Sequence, residues 1–396
     1  MSGTSEPPIF VMCAARTGST LLRTLLDSHK EIAGPPETHV ARVCEALERT
    51  WRAVTLEAGI GDLPAERLAE IGRVAAEPLD GYALARGKPR WCDKSLDNVW
   101  LAPLLARVFP EAPFVCLFRH CLDFVVSGLE ASPWGFGAYG LENYVRASPG
   151  NLVRALVRYW CDHAEGLLDV LEAYPDRAFP VRYEDLVTDT DAVLAGVLRH
   201  VGAAEQPGLA AAAFSGAHDL GGGDHKLPFT EGVHRGSIGS GRRVPYDTVP
   251  GDLRDRMNDA LHRCGYPPVT EDWNFPDRPS TPAGAGPDRA LGTLLGVRLP
   301  ACDHSDPDRV TLFVEDLGAH CTVDVDAATA YACDGTCAGA GRMVAGSAVL
   351  AAVVRDETNL GTALRTGRVR ARGSMVMAAG VIEALRGAVR EAAACP

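Results

Sequence analysis

The chain alternates short apolar runs with stretches whose apolar residues recur at helical spacing. Ile9 to Cys13 is fully apolar and reads as a buried parallel strand, and Thr20 to Ser28 reads as the helix that follows it. A helical period returns from Val40 to about Glu57, and residues 61–87 read as helix and loop. Arg90 to Lys94 reads as a short strand that delivers Lys94 at its end, and Leu101, Leu104, Leu105 and Val108 then predict a helix over one face of a sheet. Pro113 to Phe118 is the next apolar run; it ends on Arg119, and Cys121 to Leu129 resumes helically. A long amphipathic helix follows over Leu152 to Tyr174, then a strand over Phe179 to Tyr183 and helices over Asp191 to Val201 and Leu253 to Cys264. Repeated strand, turn and helix units predict a doubly wound α/β sheet, with ligands at the carboxyl ends of its strands.

The pattern changes at Pro276 to Pro287, PDRPSTPAGAGP, which reads as a linker. Beyond it, Val310 to Val314, His320 to Val325 and Arg368 to Arg372 alternate like strands, while Ala345 to Val354 and Val376 to Val389 read as helices. The expected organisation is an α/β domain over residues 1–275, a linker over 276–288 and a small α+β domain over 289–396. A length of 396 residues fits two cores better than one.

Composition narrows the function by exclusion. With 46% apolar and 23% charged residues the chain has the make-up of a globular protein, and its net charge of −12 argues against general nucleic-acid binding. A locally basic pocket for one nucleotide remains compatible with that charge. No apolar run reaches the length of a membrane span and no secretory signal is evident, so the expectation is a soluble, cytoplasmic protein. Cys13, Cys92, Cys116, Cys121 and Cys161 lie in apolar or helical contexts that suit reduced core thiols.

The first chemistry lies between the opening strand and helix, where Arg16, Thr17, Gly18, Ser19 and Thr20 form a small-residue turn. Such a turn presents free N–H groups and a positive dipole end, which suits an anion. A Walker A loop needs G-x-x-x-x-G-K-[ST]. This turn has one glycine, no Gly-Lys pair, and its cation precedes the glycine. Downstream, Gly34-Pro35-Pro36-Glu37-Thr38-His39 places Glu37 at the start of a helix beside the mouth of that site. The stretch from Gly221 to Pro250 is rich in glycine and cations, including Arg235-Gly236-Ser237-Ile238-Gly239; it fits a lid over an anion or a solvated surface loop.

Taken together these residues resemble the sulfotransferases that use 3′-phosphoadenosine-5′-phosphosulfate (PAPS). The turn from Arg16 to Thr20 resembles their 5′-phosphosulfate loop. Arg119 and Ser127, eight residues apart at a strand end and on the next helix, match the pair that holds the 3′-phosphate. Arg235 and Gly236 match the lid, and Tyr183-Glu184-Asp185-Leu186 is a further hallmark, with Tyr183 on the cofactor side. Residues 8 to about 270 are most similar to the branch containing tyrosylprotein and bacterial enzymes, in which a glutamate replaces the histidine base. The resemblance implies a P-loop-like parallel sheet flanked by helices, PAPS as co-substrate, Glu37 as general base and Lys94 assisting the transferred group. His120-Cys121 after Arg119 departs from the common pattern, as does Arg16 where cytosolic members have lysine.

The physics is consistent with that assignment. Sulfuryl transfer builds negative charge on the leaving phosphate oxygen, and the fixed cations Arg16 and Lys94 with the loop N–H groups would stabilise it without a metal ion. One carboxylate acting as base contributes about 10² to 10⁴ in rate. Glu37 is alternatively a helix-start glutamate favoured by the dipole. His39, His120 and His234 are competing bases, and Glu184 and Asp185 read as helix-start or network residues. Two other functional readings stand beside this one: a P-loop kinase or NTPase, and a small-molecule carrier with an inactive first domain.

Residues 289–396 weakly resemble sterol carrier protein type 2 domains through Val310-Thr311-Leu312-Phe313 and the Ala363 to Gly373 segment. That implies a hydrophobic ligand, against a dimerising or structural appendage. Cys302, His304, His320, Cys321, Cys333 and Cys337 raise a zinc site, but only Cys333 and Cys337 have near-ligand spacing and no second pair follows. The expectation is no metal.

Overall fold

The computed structural model describes residues 4–54, 63–131, 140–215, 218–219, 232–273, 294–295, 299, 309–314, 319–333, 341–372 and 375–394. Its first sheet contains β1 (Ile9–Cys13), β2 (Ile32–Ala33), β3 (Arg90–Asp93), β4 (Phe114–Phe118) and β5 (Ala178–Arg182), in the order β2-β3-β1-β4-β5. Every pairing is parallel, with Phe10 beside both Asp93 and Phe114, and Phe118 beside Arg182. All strands therefore end at one edge, which brings Lys94, the turn at Arg16, Arg119 and Tyr183 side by side.

The unbroken apolar runs follow from burial on both faces. Ile9, Val11, Cys13, Val115, Leu117 and Val181 pack on one face with Leu22, Leu25 and Leu26 of α1 (Ser19–Asp27) and with Leu194, Val197 and Leu198 of the helix Thr190–His200. On the other face Phe10 meets Trp91, Phe109 and Phe114 at centroid separations of 5.8, 5.4 and 6.2 Å, and Tyr174 stands 5.5 Å from Phe114. The long helix Leu152–Ala173 runs there, against β1, β4 and β5.

One boundary and one element of this sheet differ from the pattern reading. The strand read over Phe179 to Tyr183 stops at Arg182, and Tyr183 instead opens a short helix, Tyr183–Thr188, whose first turn carries Glu184 and Asp185 where the helix dipole favours acids. The two-residue strand β2 is too short for periodicity to reveal.

The chain divides into two compact units, Met1–Gly241 with Val249–Pro268, and Arg242–Thr248 with Val269–Pro396. The second has a mixed sheet in the order β10-β9-β6-β7-β8, built from β6 (Val310–Val314), β7 (Ala319–Asp324), β8 (Thr329–Cys333), β9 (Gly341–Ala345) and β10 (Val369–Arg372). Its β6 and β9 are parallel and its other pairs antiparallel. Helices Ser347–Val354, Leu360–Arg365 and Met375–Ala394 also belong to this unit, whose core includes Leu312, Val323, Met343, Leu350, Val381 and Leu385. Ala345 closes β9 and does not begin the helix, because the extended backbone at Gly346 separates two adjoining apolar runs that read as one. The linker 276–288, the lid residues 221–231 and the zinc candidates Cys302, His304 and Cys337 lie outside the described residues. Among the described residues no helix is long and apolar enough to cross a membrane, and no group of three or more potential metal ligands occurs.

Leu117 is fully buried at the centre of the parallel sheet. Leu117→Ala should lower the unfolding free energy by about 2–5 kcal/mol, seen as a lower urea midpoint, whereas Leu117→Met should cost less than about 1.5 kcal/mol.

Candidate active site

The turn after β1 is shaped by two left-handed residues, Arg16 at φ 57° and Gly18 at φ 87°. Gly18 needs to be glycine for a second reason. A Cβ there would lie 2.3 Å from Cδ2 of the Tyr183 ring. Thr17 donates its hydroxyl to the Ala14 carbonyl at 2.8 Å, closing the turn, and the Ala15 N–H donates to Tyr159 Oη at 3.1 Å. Ser19, Thr20 and Leu21 open α1, so their N–H groups have no acceptor within the helix.

Four of the residues singled out in the sequence converge on this turn. Arg119, 5% exposed at the end of β4, donates from Nη1 to the Arg16 carbonyl at 2.8 Å and lies over the Tyr183 ring with its guanidinium carbon 4.5 Å from the centroid. Arg16 Nε donates to Ser127 Oγ at 3.3 Å from the next helix, Cys121–Ala131. Among the described residues the buried Arg119 Nε has no hydrogen-bond partner. A buried charged donor left unmatched beside a helix N-terminus suits an anionic ligand.

Lys94 and Glu37 form a second group at the end of β3. Lys94 is 3% exposed, and its ammonium is paired with Glu37 Oε1. The buried Cys13 thiol links the two groups: it bonds Ser19 and senses both Lys94 and Glu37 electrostatically. Burial pushes that thiol up to about 12, against the opposing effect of Lys94, so Cys13 stays protonated.

Arg235 is placed differently from its neighbours. Its guanidinium donates to the carbonyls of Val187 and Thr188 at the end of the helix Tyr183–Thr188, and Gly236 is exposed. The segment itself is fastened to the site. Ser237 Oγ and Tyr183 Oη share a 2.8 Å hydrogen bond, and the N–H groups of Gly239 and Gly241 donate to the two carboxylate oxygens of buried Asp123. Asp123 was not read from the sequence, although it lies one helical turn before Ser127 and so shares its face.

Two of the three histidines read as competing bases are engaged elsewhere. His39 pairs with Asp97 at 2.9 Å and is exposed; His120 accepts the Leu122 N–H at Nδ1 and packs edge-on to Tyr266; His234 is exposed. Glu184 accepts the His120 N–H at 2.9 Å and the Tyr266 hydroxyl at 2.7 Å, while Asp185 pairs with Arg182. Burial, and then Glu184, push the Tyr266 hydroxyl above its ordinary range, so it remains a donor.

A model of the sulfotransferase family matches residues 7–207, half of the chain. The chain is similar to the nodulation protein NoeE of Sinorhizobium fredii, at 29% identity over 133 residues covering 32% of this chain and 31% of that protein. It is also similar to protein-tyrosine sulfotransferase 1 of Danio rerio, at 27% identity over 203 residues covering 49% of this chain and 52% of that protein. The chain thus spans about a third to a half of the length of these relatives. Among solved structures it is similar to the sulfotransferase domain from the curacin biosynthetic pathway, at 20% identity and a TM-score of 0.47, covering 66% of this chain and 99% of that one.

Tyr159, which takes the Ala15 N–H, is itself supported by His163, whose ring stacks on it at 3.9 Å and whose Nδ1–H donates to the Tyr159 carbonyl. Burial lowers His163 to about 4, so the folded protein holds it neutral. Stability contributed by the neutral ring is complete above the unfolded value of 6.5 and is lost as pH falls towards 4. Urea titrations should show about 3 kcal/mol of acid destabilisation across that window that is absent from His163→Leu.

Proposed function

The chain belongs to the sulfotransferase family, and from that premise we propose that it transfers a sulfuryl group from PAPS to a hydroxyl of a small-molecule acceptor, with Glu37 as general base. The observation that carries this reading is the meeting, at one sheet edge, of a cationic anion-binding turn with a buried lysine paired to a carboxylate. The residues fit the donor: among the described residues Arg119 has an unmatched buried N–H, and Gly18 leaves room for the Tyr183 ring against the turn.

In this reading Arg119 and Ser127 hold the 3′-phosphate, Arg16 and the first-turn N–H groups of α1 hold the 5′-phosphosulfate end, and Tyr183 flanks the nucleotide. Arg235 and Gly236 belong to the segment that covers it, which Asp123 and Ser237 keep in place. PAPS, when bound, would supply the sulfuryl group: the acceptor oxygen bonds to its sulfur as the S–O bond to the 5′-phosphate breaks, and adenosine 3′,5′-bisphosphate leaves with that electron pair. Glu37 takes the proton from the acceptor hydroxyl, and Arg16 and Lys94 present fixed positive charge where negative charge accumulates. Pre-set charges of this kind need no reorganisation during the transfer. Residues 289–396 enter as the sterol-carrier-like domain that holds a hydrophobic acceptor, and mass spectrometry of an organic extract of the purified protein tests that role.

Calorimetry should show binding of both PAPS and its desulfonated product, adenosine 3′,5′-bisphosphate. Absence of both interactions would overturn the proposal. Incubation with radiolabelled PAPS and a panel of phenols, sugars, nucleosides and lipid alcohols should label an acceptor. Glu37→Gln should cut that turnover by about 10² to 10⁴ with nucleotide affinity nearly unchanged; a parallel loss of affinity would make Glu37 a structural residue.

A further inference from the structure

The two residues flanking Lys94 hold the residues that follow Glu37. Ser95 Oγ accepts the N–H groups of both Thr38 and His39, at 3.2 and 2.9 Å. Its own proton goes to Asp93 Oδ1 at 2.9 Å, and the same oxygen receives the Thr38 hydroxyl at 2.6 Å. Asp93 and Ser95 are fully buried, and Asp93 Oδ2 takes a further bond from Asn98 Nδ2 at 2.8 Å. Asn98 also reaches the Val11 carbonyl of β1 at 3.3 Å, so the network is tied to the strand that leads into the anion-binding turn.

The other side of Glu37 is held from α1. Gly34 donates its N–H to Asp27 Oδ1 at 2.8 Å, and its carbonyl accepts Nη1 of the buried Arg23 at 2.6 Å. Arg23 and Asp27 lie one turn apart on the helix whose N-terminus forms the turn. Pro35 and Pro36 fill the interval between Gly34 and Glu37 and restrict its backbone. His39 sits at φ 54°, a conformation that costs energy for a non-glycine residue and persists only where its surroundings impose it.

We propose that Ser95, Asp93 and Thr38 are positioning residues for Glu37: they lock the base-bearing segment to the strand end that carries Lys94, so that the carboxylate and the ammonium keep one mutual geometry. The proposal rests on the assignment of Glu37 as base. It explains why Lys94 stands between an aspartate and a serine, neither of which pairs with Glu37. It also separates seating of the base from nucleotide binding, because the nucleotide contacts belong to Arg16, Arg119 and Ser127.

Thr38→Val keeps the shape and removes the hydroxyl, Thr38→Ser restores it, and Ser95→Ala removes the acceptor for two N–H groups. With PAPS and the acceptor panel, Thr38→Val and Ser95→Ala should lower kcat by about 10²-fold. The KM for PAPS and the affinity for adenosine 3′,5′-bisphosphate should stay at wild-type values, and Thr38→Ser should recover most of kcat. Wild-type kcat in Thr38→Val, an equal loss in Thr38→Ser, or a parallel loss of nucleotide affinity overturns the proposal. A second readout does not depend on turnover. Amide exchange at Thr38 and His39 should become about tenfold faster in Ser95→Ala, with exchange in residues 14–20 unchanged. Unchanged exchange at Thr38 and His39 overturns the network itself. A wild-type chain that binds PAPS yet sulfates nothing in the panel, while Ser95→Ala shows the faster exchange, overturns the function of Glu37 and leaves the network standing.

Discussion

A guanidinium taken out of water must be matched by acceptors or by a ligand's charge, and Arg119 is one of several buried arginines, with Arg23 and Arg90, that face that demand. Its Nη1 is satisfied by the Arg16 carbonyl, and its flat face by the Tyr183 ring. Its own carbonyl accepts the Trp160 indole N–H at 2.8 Å. Its Nε is left for something not supplied by the described residues. These contacts tie the ends of β1, β4 and β5 to the long helix behind the sheet. The turn after β1 therefore acquires its shape from its surroundings as well as from its own residues.

The Lys94–Glu37 side obeys a different constraint. Lys94 is as buried as Arg119, but a carboxylate already neutralises it. A buried ammonium keeps its charge cheaply only when its partner is held in place. The surroundings of Glu37 provide that hold through hydrogen bonds to backbone groups on both sides, at Gly34 and at Thr38 and His39. The two groups thus differ in kind: among the described residues Arg119 Nε has no partner, whereas Lys94 is matched by Glu37.

Much of this was legible in the chain. The strand Ile9–Cys13 coincides with its apolar run because both faces of a parallel strand are buried. Arg119 could be picked out because it follows an apolar run and Lys94 because it ends a short strand, and in a parallel sheet such strand ends meet at one edge. Arg235 was legible as part of a glycine-rich cationic segment, but its contacts were not: its guanidinium lies on the carbonyls of Val187 and Thr188. In the second unit, Thr329–Cys333 and Gly341–Ala345 escaped because short strands beside an apolar helix carry no period of their own.

Local sequence by itself determined the longer elements, the strand-end cations and the glycine at the turn, since burial on both faces, helical period and backbone freedom each leave a mark within a few residues. Tertiary structure alone decided that Tyr183 would lie against Gly18, that Asp123 would fasten the Gly239 and Gly241 N–H groups, and that Ser95 would cap Thr38 and His39. Those contacts join residues 56 to 165 positions apart in the chain. Such hydrogen bonds and ring contacts depend on the relative placement of separate strands and helices, and no local pattern of apolar and polar residues encodes that placement.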